Sequence, residues 1–124
     1  MRQATGIITD PTKNAAERAL DEYQFLPHEI SPSTGDPQAD NLIAKHLGPL
    51  VEKDLSHLVQ TSGYLGLAPI ERRAEIVDEL RHLRREAIAA ATDEAPDLFD
   101  ALQAKRGAAT KRLAEEYAAG GAGR

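Results

Sequence analysis

The sequence predicts an all-α protein: a small helical bundle, built from a helical hairpin plus a C-terminal helix, with an extended N-terminal arm. Three observations predict it. Apolar residues recur at spacings of three and four along three long stretches, the period of a helix face turned towards a core. Asp-Pro and Ala-Pro pairs stand where helices would begin, and Gly or Pro where they would end. No stretch alternates β-branched and aromatic residues as a strand does.

The 124 residues include 14 Leu, 7 Ile, 3 Val and 2 Phe, about 21% of the chain. That lies just above the content below which chains tend to stay unfolded, so one domain with a lean core is expected. There is no Cys, which excludes a disulfide scaffold and thiolate metal sites. No apolar run approaches the roughly 20 residues of a membrane span. Residues 1–10 have neither the basic start nor the apolar stretch of a signal peptide. The net charge of -5 argues against a dedicated nucleic-acid binder.

Residues 1–36 form the predicted arm. Asp10-Pro11 reads as a helix start, and Ala15, Ala16, Ala19, Leu20 and Tyr23 follow at helical spacing, giving a short helix over about 12–25. Pro27, Pro32, Gly35 and Pro37 then make 26–36 an extended Pro-rich linker.

A helical domain is predicted over 37–119. Asp36-Pro37 opens its first helix, on which Leu42, Ile43, Leu47, Leu50, Val51, Leu55, Leu58 and Val59 form one face to a stop at Ser62-Gly63. Gly48-Pro49 kinks it or splits it into two short helices meeting at Pro49, because Pro removes a hydrogen bond and crowds the preceding turn. Tyr64 and Leu67 tuck the connection into the core. Pro69 and Glu71 start the second helix, about 69–92, with Ile70, Ala74, Val77, Leu80, Ala87, Ile88 and Ala91 as its inner face, widened by Ile76 and Leu83. Its five Arg and five acids read as a self-paired solvated surface. Pro96 starts the last helix, to about 119, carrying Leu98, Phe99, Leu102, Ala109, Leu113 and Tyr117. Residues 120–124 read as a flexible tail.

Catalytic chemistry finds no support in this pattern. The four histidines, His28, His46, His57 and His82, lack the spacing of a helical zinc site. Asp54 and His57 share a helix face but suggest no third partner. No Ser sits in a nucleophile elbow, and the terminal glycines precede neither a helix nor a Lys-Ser/Thr pair. The expectation is a non-enzyme without cofactor or metal. Lys105, Arg106, Lys111 and Arg112 form a basic segment without an acid, a candidate contact for nucleic-acid phosphates. The acidic total and the absence of interleaved aromatics favour a solvated face instead.

One segment is familiar. Residues 47–91, carrying Leu47-Gly48-Pro49-Leu50, Asp54-Leu55-Ser56-His57-Leu58-Val59, Ser62-Gly63-Tyr64 and Glu71-Arg72-Arg73-Ala74-Glu75-Ile76-Val77, resemble a helical segment of tailed-phage proteins. Those are internal virion or DNA-ejection proteins and the related polyvalent polypeptides. There an apolar helix ends in a turn bearing Tyr, and a helix opening with an acid and two basic residues follows. Here Gly63 stands where Pro or Ala often precedes the Tyr.

The resemblance implies a structural component of the virion, in several copies, docked on other virion proteins of the portal, neck, tail or internal core. Docking contacts are expected at Ile7, Ile8, Tyr23, Phe25, Leu26 and Ile30, apolar groups in segments with little core of their own. The rival expectation is a small cytosolic regulator that binds nucleic acid or a polymerase through residues 105–112.

Overall fold

The computed structural model describes residues 13–31 and 33–122, with side chains as far as residue 119. Within these the protein is all-α, with no strand. Ile7, Ile8 and the Asp10-Pro11 start signal lie outside the described residues. The chain divides into two compact units, Met1–Ala91 and Thr92–Arg124.

In the first unit, α1 (Ala15–Glu22) is shorter than the sequence predicts. It starts at a capping box: Glu17 N–H donates to the Asn14 side chain (2.9 Å), and the Glu17 carboxylate accepts from Asn14 N–H (3.0 Å). Ala16 N–H, otherwise orphaned in the first turn, donates to Ser56 Oγ at 3.1 Å. The helix closes in a Schellman turn, with Phe25 N–H on Leu20 O (2.9 Å) and Gln24 N–H on Asp21 O (3.1 Å). Gln24 takes φ 57 in that turn, the left-handed place usually held by Gly.

The expected extended linker contains a helical turn, α2 (Pro27–Ile30). Pro27 starts helix here, because the first turn needs no N–H from it. Glu29 reaches back to accept from Leu26 N–H at 2.9 Å. Further on, Thr34 donates both its hydroxyl (2.6 Å) and its N–H (2.7 Å) to Asp40. Asp36 caps α3 (Pro37–Leu50) through Gln38 N–H at 2.8 Å, as its Asp-Pro pair predicts.

Pro49 sits inside α3, and the rod continues through a π-helical turn (Val51–Leu55) into α4 (Ser56–Leu58). The buried positions explain the widening. Ala39, Ile43, Leu47, Val51, Leu55 and Val59 are all buried and recur at every fourth residue. At 3.6 residues per turn such a series drifts about 40° per step. The π turn closes its ring one residue later and takes back part of that drift. α1 packs on this turn, bringing Ala16, Ala19 and Leu20 into the core.

Thr61 caps a further turn, α5 (Ser62–Leu65), so the expected helix stop at Ser62-Gly63 is a new start. Its Tyr64 is buried, as the sequence predicts, while Leu65 is exposed. α6 (Pro69–Glu94) begins at Pro69, with Glu71 accepting from Ala68 N–H at 2.9 Å. Its buried face is Ile76, Leu80, Leu83, Ala87 and Ala91. Ile70 and Ile88, expected inside, are 81% and 37% exposed. The helix carries two apolar stripes about 100° apart, and the fuller one, with Ile76, Leu80 and Leu83, takes the core.

The second unit is α7 (Pro96–Ala122), 27 residues long. It extends over 120–122, which the sequence assigns to a tail. None of its described side chains is buried, and Leu98, Phe99, Leu102 and Ala109 are half-buried.

Candidate functional site

The most articulated polar structure is a set of arginine contacts from α6. Arg73 holds the chain between α1 and α2 in three ways. Its guanidinium lies 4.2 Å from the Phe25 ring centroid, its Nη2 donates to Glu29 Oε2 at 3.2 Å, and its Nε donates to the Tyr23 carbonyl at 3.4 Å. Arg84 adds a hydrogen bond to the Glu29 carbonyl at 2.6 Å. Arg72 does the same for α5: its Nε donates to Leu67 O at 3.0 Å and its guanidinium covers Tyr64 at 5.4 Å.

These contacts set the local electrostatics. The Leu26 N–H, then the Arg73 guanidinium, hold the Glu29 carboxyl below its ordinary value. The Thr34 hydroxyl and N–H do the same for Asp40. Burial pushes the Tyr64 hydroxyl up to about 12, with a hydrogen bond to the Tyr23 side chain adding to the shift.

The helix surface expected to be self-paired is therefore mostly engaged elsewhere. Within the helix, Arg81 meets Asp78 at 3.8 Å, with both side chains more than 60% exposed. Arg72 turns to α5 instead. The sequence could not supply these partners, which lie 44 to 55 residues away for Arg73–Glu29 and Arg84–Glu29.

The expected docking residues fall into two groups. Tyr23, Phe25 and Ile30 are half-buried, with Phe25 seated on Arg73 and Ile30 lining a groove of about 340 Å³ between α1, α2 and α3. Leu26 is 52% exposed. Glu17 and Glu52 both line that groove, and Glu17 also serves the α1 capping box.

His28, His57 and His82 are exposed and His46 is half-buried. His82 meets Glu86 at 3.2 Å on the helix surface, and Asp54 makes no bond to His57. Among the described residues no three His, Asp or Glu side chains are grouped to hold a metal. Nor is any helix long and apolar enough to cross a membrane among them.

Lys105, Arg106, Lys111 and Arg112 are all exposed on α7. At 100° per residue, Lys105 and Arg112 share a side, while Arg106 and Lys111 point about 100° and 120° away from Lys105 in opposite senses. The four surround the helix and do not form one phosphate-facing stripe. No family model, curated protein or solved structure matches the chain.

Proposed function

We propose that this chain is a non-enzymatic assembly component that docks on a larger particle. Following the resemblance of residues 47–91, that particle is a tailed-phage virion, with several copies placed at its portal, neck, tail or internal core. The observation that carries docking is α7. It is a 27-residue helix without a buried side chain among those described, and it holds Leu113 62% and Tyr117 83% exposed. Leu98, Leu102, Ala109, Leu113 and Tyr117 share one side of it, so a partner laid along that side covers an apolar stripe crossed by Arg106.

The reading is tested by expressing the tagged full chain during phage growth in the host and separating intact particles on a density gradient. The expected result is co-sedimentation with particles, lost on Leu113→Asp/Tyr117→Asp. Free protein only, together with salt-dependent binding of duplex DNA abolished by Lys105→Glu/Arg106→Glu, overturns it in favour of the nucleic-acid-binding regulator.

A further inference from the structure

Four of the five arginines of α6 segregate to one flank of the helix, while Arg72 lies about 100° from Arg73, outside that flank. At 100° per residue, Arg73, Val77, Arg81, Arg84, Arg85 and Ile88 fall within about 120° of the circumference, and no acid shares that sector. Glu71, Glu75, Asp78, Glu79 and Glu86 occupy the next 100° or so. Charges that alternate along the sequence thus become a flank of four arginines beside a sector of five acids, with Arg72 outside both.

Part of the basic flank is already occupied, and its occupant shows what it takes. α2 is a helical turn that presents a carboxylate and a neighbouring aromatic ring. Arg73 pairs with the Glu29 carboxylate and stacks on Phe25, and Arg84 holds the Glu29 carbonyl. Beyond α2 the flank continues as a shallow groove of about 240 Å³ lined by Arg81, Arg84, Arg85 and Ile88. Arg85 makes no bond to the described chain, and Arg81 has only its exposed contact with Asp78.

We propose that this second half of the flank docks an acidic amphipathic helix of a partner protein. Its carboxylates pair with Arg81 and Arg85, and an apolar side chain rests on Ile88, as Glu29 and Phe25 use Arg73. Charge complementarity selects an acidic occupant. The apolar positions select a protein over a phosphate backbone: Ile70 at 81% exposure and Ile88 at 37% stand at the two ends of the flank, where phosphates would leave them wet. An anionic membrane is disfavoured by the acids on the adjacent face and the net charge of -5. The surface is distinct from the α7 stripe, so the inference stands or falls separately from the virion reading.

The test uses the full chain and a fluorescent helical peptide of about 20 residues with Glu and Leu on adjacent faces, read by anisotropy at low salt. Saturable binding is expected, weakened about tenfold by Arg81→Glu/Arg85→Glu and less by Arg81→Gln/Arg85→Gln, with far-UV circular dichroism unchanged. A peptide with Lys in place of Glu should prefer the charge-reversed variant over the native chain. Failure of the acidic peptide to bind, or binding indifferent to both variants, overturns the proposal. So does tighter, Arg81/Arg85-dependent binding of duplex DNA or of vesicles rich in phosphatidylglycerol.

Discussion

Two helices of nearly equal length, α6 with 26 residues and α7 with 27, are separated by Ala95 alone, yet they serve opposite ends. α6 buries five side chains and anchors α2 and α5 with its arginines. α7 buries none of its described side chains. Both satisfy the helical spacing rule, so spacing alone does not decide burial. Bulk does: α6 places Ile76, Leu80 and Leu83 within eight residues on one face, whereas the stripe of α7 is interrupted by Arg106 and thinned by Ala109. A lean chain spends its large aliphatics on one core and leaves the other helix to find a surface.

The contrast can be broken first at Leu80, 1% exposed in the α6 face. Leu80→Ala should cost about 2–5 kcal/mol, the range for a buried Leu that leaves a cavity, read by urea denaturation. Next comes the anchoring of α2. Arg73→Ala removes an ion pair about a third exposed on both sides, a carbonyl contact and the Phe25 stacking. Solvent screening keeps the expected loss to about 1–2 kcal/mol, with faster proteolysis around residues 23–31. The sign with pH follows from Glu29. Its carboxyl is held below the ordinary 4.5 in the fold, so its stabilisation is present above that value and fades as pH falls through the lowered one. The gap between wild type and Arg73→Ala should therefore narrow in acid below 4.5.

Gln24→Gly runs the other way. It relieves the left-handed strain at φ 57 in the turn after α1 and should raise stability by about 0.5–1 kcal/mol in thermal melts. The smallest effect is expected at Leu113, 62% exposed, where Leu113→Ala should leave the isolated chain within about 0.5 kcal/mol of wild type. A loss there comparable to Leu80→Ala would erase the distinction between the two helices.

Much of this was legible in the residues. Asp36-Pro37 and Pro69 with Glu71 mark helix starts because capping is local chemistry, and Tyr64 reads as buried because few other bulky groups can close the turn beneath it. Pro27 misleads as a breaker, since the same missing N–H suits a helix's first turn. The inner face of α6 is ambiguous in one dimension: Ile70, Val77 and Ile88 compete with Ile76, Leu80 and Leu83, and only the opposing helices settle which stripe turns inward. The arginine anchors are invisible to any local pattern, because Arg73 and Glu29 meet only when the hairpin has brought distant segments together. The candidate site is thus the part least written in the sequence, and the capped helix ends the most.

The π turn also bears on how the chain tolerates changes of length. The turn and its flanks carry buried residues in the series Ile43, Leu47, Val51, Leu55, Val59, four apart throughout, while Lys53 within the turn is exposed. Deleting Lys53 shortens one interval to three and restores the rhythm an ordinary α-helix uses, with Ser56 still presented beneath Ala16. Residues 51–55 therefore behave as a built-in insertion, a place where the gene can lose one codon without turning the core inside out. A Lys53 deletion that melts cooperatively near wild type would mark it as such, whereas the same deletion made at an exposed site in α6 should rotate Leu80 and Leu83 off the core.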